Sequence, residues 1–242
     1  MRIAIITAMA EETLPILRKL GGVVAEDCVS GVTIRQIETG KHTVYLATSG
    51  IGEIRAALAV QLMVDLFDVE AVLNFGFVGS LNKTLPVGEL VLVERATHYQ
   101  FDISAVDGLP PGCYDGKAEP YFYTDKELSE RVQSALPRRL RTVTAASGDV
   151  FVADNALKTR LADTFFADIC EMEIAGICLA AERNGLPVLS MKVVSDGADE
   201  GATESFSDVL KRGLSRYEEL LHVVLDALSE EKRAKPPAKV SG

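Results

Sequence analysis

Tryptophan is absent from this chain, histidine occurs three times, and no two of the four cysteines form a C-x-x-C pair. Each absence removes a class of protein. Cys28, Cys113, Cys170 and Cys178 lack zinc-ligand spacing and a nearby histidine, so they read as free thiols in a reducing compartment. His42, His98 and His222 are scattered and none follows a G-x-S-x-G elbow, which leaves no Ser-His-Asp pattern. No G-x-x-x-x-G-K-[ST] loop is present to hold a nucleoside triphosphate. Basic residues are in deficit: 25 Lys and Arg face 35 Asp and Glu, a formal net charge of −10. Nucleic acid is therefore disfavoured as a partner, since it binds mainly through neutralised phosphates. No apolar run approaches the ~18 residues of a membrane span. Arg2 to Ile6 leads into Glu11 and Glu12 without a signal-peptide cleavage pattern, so the expectation is a cytoplasmic protein with no membrane partner.

What the chain does have is core material: 48% of its 242 residues are hydrophobic. Residues 1–229 read as a single catalytic domain and 230–242, charged and Pro-containing, as a disordered tail. Strands are expected at 2–8, 23–29, 32–38, 43–48, 71–75, 89–96, 141–146, 167–170 and 188–194. Helical spacing covers 10–20, 53–66, 125–136, 155–162, 174–183 and 206–228. Alternation of this kind argues an α/β domain, a three-layer α/β/α sandwich around a mixed sheet. Ser49-Gly50-Ile51-Gly52 with Arg55 imitates a dinucleotide fingerprint but lacks its third glycine, which argues against a nicotinamide cofactor. Gly76-Phe77-Val78-Gly79-Ser80 reads as a tight glycine turn after a strand, and 97–123 as a long irregular segment rich in aromatics.

The stretch Cys170 to Asp196 draws these features together. Glu171-Met172-Glu173 opens a helix that ends at Asn184-Gly185, and a buried strand follows with Ser195-Asp196 at its carboxyl end, where open α/β sheets place ligands. These carboxylates are either solvated ends of their elements or used. Polar groups gather at other strand exits and helix starts too: Glu12, Ser147 and Asp149. Carboxylates without metal-ligating histidines suit glycosidic cleavage through an oxocarbenium-like transition state, with one carboxyl as acid and another activating water.

Ala8-Met9 with Glu11-Glu12, Ser49-Gly50-Ile51-Gly52, Ser147 to Val152, Glu171-Met172-Glu173 and Ser195-Asp196 together resemble the methylthioadenosine/S-adenosylhomocysteine nucleosidases of the purine nucleoside phosphorylase-like superfamily. The five motifs keep the family's order and near spacing over residues 1 to 229. The resemblance implies hydrolysis of a 5′-thio-substituted adenine nucleoside without metal or organic cofactor. It makes Asp196 the acid toward purine N7 beside Ser195, Glu12 the base for water, and Glu173 the grip on the ribose hydroxyls beside Met172. Phe151 would stack on the base and the Val152 backbone would read its edge. Ala8, Met9, Ile51 and Phe206 would complete the walls, with Phe206 near the 5′ group. In the same family a small hydroxyl residue usually stands where Phe77 precedes Val78, and Arg where this chain has Lys192; these departures bear on the ribose and 5′ side and on the water. Alternatives are a nucleosidase acting on futalosine, aminodeoxyfutalosine or 5′-deoxyadenosine, a phosphate-dependent phosphorylase, and a nucleoside-binding protein. A homodimer is expected, with part of 97–123 reaching the partner's site.

Overall fold

The computed structural model describes residues 1–229. The disordered tail expected at 230–242 lies outside the described residues. Seventeen elements follow one another. The first half comprises β1 (Arg2–Thr7), α1 (Ala10–Leu20), β2 (Val23–Val29), β3 (Val32–Glu38), β4 (Thr43–Thr48), α2 (Glu53–Phe67), β5 (Ala71–Ser80) and β6 (Leu90–His98). The second comprises α3 (Ser104–Asp107), β7 (Phe122–Tyr123), α4 (Lys126–Ala135), β8 (Arg141–Ser147), α5 (Asn155–Phe165), β9 (Ile169–Glu171), α6 (Ile174–Asn184), β10 (Val188–Asp196) and α7 (Ala202–Leu228).

One mixed sheet runs β10-β6-β8-β9-β5-β1-β4-β3-β2, and β10 also pairs with β5. That extra pairing closes β5, β10, β6, β8 and β9 into a ring, while β1 to β4 extend from it as an open wing. The layers follow from strand alternation. Ala4 and Ile6 of β1 join the core under α2 and α6, with Ala56, Val60, Ile177 and Ala181. Ile3 and Ile5 join the opposite core with Ile16 of α1, Leu128 of α4, and Tyr217 and Leu221 of α7. A strand covered by helices on both faces must be apolar at every position, which is why β1 reads as an unbroken hydrophobic run.

Residues Gly76 to Ser80 correct the expected glycine turn. They continue β5 as fully buried strand, because β10 pairs along them from Gly76 to Gly79 while β9 takes the other edge at Gly79 and Ser80. These glycines serve close approach instead. A Cβ on Gly76 would lie 2.8 Å from Glu12 Oε1, and one on Gly79 would lie 3.0 Å from both Asp196 Oδ1 and Cys170 Sγ. The expected irregular stretch 97–123 is also partly ordered, since β6 runs on to His98 and β7 pairs back to it. Its aromatics largely pack on one another: Phe101 stacks on Tyr114 at 4.0 Å between ring centroids, and Tyr114 meets Phe122 edge-on at 5.2 Å.

Candidate active site

Strand β9 runs against β5 and overlaps it only at Gly79 and Ser80. The carboxyl ends of β1, β4, β5 and β10 therefore face those of β8 and β9 across one cavity of about 290 Å³.

Glu12 stands in the first turn of α1 but turns back toward the sheet. Its Oε2 accepts the N–H groups of Ala8 (2.8 Å) and Met9 (3.1 Å), and its Oε1 accepts that of Phe77 (3.1 Å). Burial pushes its pKa up, while Lys192 and these three donors pull against the rise. Glu173 precedes α6 and accepts the Gly52 N–H at 3.1 Å; burial, then the nearby Glu171, push its pKa up to about 8. Asp196 ends β10, with Oδ1 accepting the Ala198 N–H at 2.8 Å and Oδ2 lying 2.7 Å from Ser195 Oγ. Burial raises its pKa too, against the hydrogen bonds of Ser195 and Ala198.

The walls are apolar. Phe77, Val78 and Gly79 come from β5, Ala8 and Met9 from the β1 exit, Ile51 from the turn before α2, Val150 to Val152 from the β8 exit, and Met172 from the β9 exit. Phe206 of α7 closes the aromatic side, meeting Phe77 and Phe151 edge-on at 6.0 Å and 5.9 Å. Phe151 and Ile51 are each 46% exposed and form the mouth.

Every site residue named from the sequence lines this cavity except Lys192. Lys192 lies behind it, 1% exposed, with Nζ 3.1 Å from Glu171 Oε2. Burial works against its charge, but Glu171, Glu173 and Glu12 outweigh that and hold its pKa above the usual value. Two polar groups gathered from the sequence also fall outside: Ser147 is buried between Glu53 and Glu171, and the exposed Asp149 accepts the Glu53 N–H at 2.8 Å, capping α2. Sequence reasoning passed over Glu53, whose position in a first helical turn has a sufficient dipole explanation. Nothing in the sequence marks it as buried, yet it is 5% exposed. No residue of 97–123 lines the cavity.

This arrangement can protonate a leaving group from the Asp196 end and activate water from the Glu12 end of one cavity. The chain belongs to the phosphorylase superfamily, whose family model matches residues 2–226. Within that superfamily its similarity runs to nucleosidases. It is 32% identical to the aminodeoxyfutalosine nucleosidase of Campylobacter jejuni over 211 residues, 86% of this chain and 91% of the relative. A futalosine hydrolase mutant from Helicobacter pylori superposes with a TM-score of 0.89 at 28% identity, covering 93% of this chain and 98% of that one. The methylthioadenosine/S-adenosylhomocysteine nucleosidase of S. pneumoniae, solved with a transition-state inhibitor, gives 0.87 at 31%, covering 94% and 100%. Among the described residues no helix is long and apolar enough to cross a membrane.

Proposed function

We propose that the chain hydrolyses the N-glycosidic bond of 5′-methylthioadenosine and S-adenosylhomocysteine, releasing adenine and the thioribose, as in methionine salvage. The observation that carries this reading is the hydrogen count at Ser195. Its Oγ lies 3.1 Å from the Val78 carbonyl and 2.7 Å from Asp196 Oδ2, yet a hydroxyl has one hydrogen. Ser195 therefore shares that hydrogen between two acceptors and only partly offsets the burial that raises the Asp196 pKa. A neutral acid beside the cavity suits a leaving group that would otherwise depart as an anion. Opposite it, Glu12 takes a proton from water, Glu173 binds the ribose hydroxyls, and Phe151 stacks on the purine. Phe77, Phe206 and Met9 receive the 5′ group. The described lining offers no cation there, which favours the methylthio substituent over a charged one.

Aminodeoxyfutalosine or futalosine is the second reading. The three rings of Phe77, Phe151 and Phe206 would stack on an aryl 5′ group, and the Campylobacter jejuni relative acts in that class by name. Comparing kcat/KM for 5′-methylthioadenosine, S-adenosylhomocysteine, 5′-deoxyadenosine, futalosine and aminodeoxyfutalosine, with and without phosphate, tests the proposal. The highest value for 5′-methylthioadenosine, unchanged by phosphate, is expected; a futalosine preference, or release that yields a sugar 1-phosphate, overturns it. The homodimer is a separate proposal. It rests on apolar side chains left exposed on α2 and α3, Ile54 at 72% and Val106 at 88%, and light scattering that shows only monomer at micromolar concentration contradicts it.

A further inference from the structure

Behind the cavity, Ser147 Oγ contacts Glu53 Oε1 on one side and Glu171 Oε1 on the other, and accepts the Ala175 N–H at 3.2 Å. A hydroxyl offers one hydrogen and two lone pairs. The Ala175 N–H takes one lone pair and the hydroxyl hydrogen goes to one carboxylate. The second carboxyl must then donate into the remaining lone pair, so one of the two carries a proton. Their other partners decide which. Glu171 Oε2 faces Lys192 Nζ and the N–H groups of Glu173 and Ile174 at the start of α6, a set that selects an anion. Among the described residues the Glu53 carboxyl has one N–H donor, from Gly176 to its Oε2.

We infer that Glu53 holds a proton at neutral pH and acts as a positioning residue: through Ser147 it keeps Glu171 anionic and oriented, which anchors Lys192 beside Glu12. The inference rests on Glu12 being the base only in its last step. Burial, then the charge of Glu171, push the Glu53 pKa up to about 8. The groups facing it are Ser147 on β8, Asp149 after it at the Glu53 N–H, Glu171 on β9, Glu173 before α6, Cys178 on α6, and Tyr99 and Tyr114 from the segment after β6; Lys192 reaches it through Glu171. Its raised pKa makes the proton present below about pH 8 and lost above it. Gly176 admits the close approach of Glu53, since a Cβ there would lie 2.5 Å from the Glu53 backbone oxygen and 2.9 Å from Oε2.

The test is infrared spectroscopy of the full chain at pH 7, with kinetics on the same proteins. The carbonyl band of a protonated buried carboxyl should lose intensity in Glu53→Gln, and Glu53→Ala should lower kcat by ~10 to 100-fold, the scale of a displaced reacting group. Gln, which can still donate to Ser147 and accept from Gly176, should recover most of that loss and move the alkaline limb of the pH profile upward. An unchanged infrared band in Glu53→Gln, or a band removed only by Glu171→Gln, overturns the protonation. A lost band with Ala and Gln variants alike in kcat and pH profile overturns the positioning. Glu12→Gln separates the two readings: if it keeps full activity, the base assignment fails while the infrared result still stands.

Discussion

The two ends of the cavity use the same functional group in opposite settings. At one end Glu12 has three backbone N–H donors and a nearby buried cation; at the other Asp196 has one N–H donor and a hydroxyl. Burial raises both; Lys192 and three backbone donors pull Glu12 back toward the anion, while at Asp196 the opposing groups are Ser195, the Ala198 N–H and, more weakly, Lys158. The contrast teaches that protonation here is set by neighbours rather than by residue type. On the proposed reading Asp196 begins the reaction with a proton and Glu12 without one.

The contrast breaks most sharply at Glu12. Glu12→Gln keeps the shape and loses the base, so kcat should fall by ~10² to 10⁴-fold, measured by adenine release. Lys192→Met should act on stability as well, because it leaves Glu171, Glu173 and Glu12 buried without their cation. A loss of about 3–5 kcal/mol is expected in urea denaturation. Gly76→Ala is a gentler probe of the same end: its Cβ would meet Glu12 Oε1 at 2.8 Å, and a kcat loss of ~10-fold with little change in KM is the expected outcome.

The pH dependence of folding spreads its effect over several pH units. Glu53 and Glu173 have folded pKa values of about 8 against a reference of 4.5, so the folded state binds more protons between those values. Stability is then full below about pH 4.5 for these groups and declines as pH rises to about 8, by at most ~1.4 kcal/mol per pH unit for each. Chemical denaturation across that window checks the sign, and Glu53→Gln should flatten the slope. The carboxylates with lowered pKa values, Asp102, Asp154 and Asp226, are exposed and lie outside this window.

Much of this arrangement was legible in the residues. The β1 and β10 runs, the α6 stop at Gly185 and the carboxylates at strand exits carry local signals of period, capping and position. The ring closure carries none. It depends on β10 finding both β5 and β6, pairings distant in sequence that no local pattern encodes. For the same reason Gly76 to Ser80 suggested a turn, since glycines that admit a neighbouring carboxylate look like glycines that bend a chain. Glu53 was hidden by an ordinary explanation, and the burial of Lys192 behind the cavity rests on a tertiary contact with Glu171 that no local pattern carries.

The most direct measurement of the central claim is kcat for Asp196→Asn with 5′-methylthioadenosine at neutral pH. Asparagine keeps the shape and can still donate a hydrogen bond, but it cannot give up a proton. The account predicts a fall of at least ~10²-fold in kcat with nucleoside affinity little changed, the pattern of an interaction made mainly in the transition state. Turnover within a few-fold of the parent would contradict it.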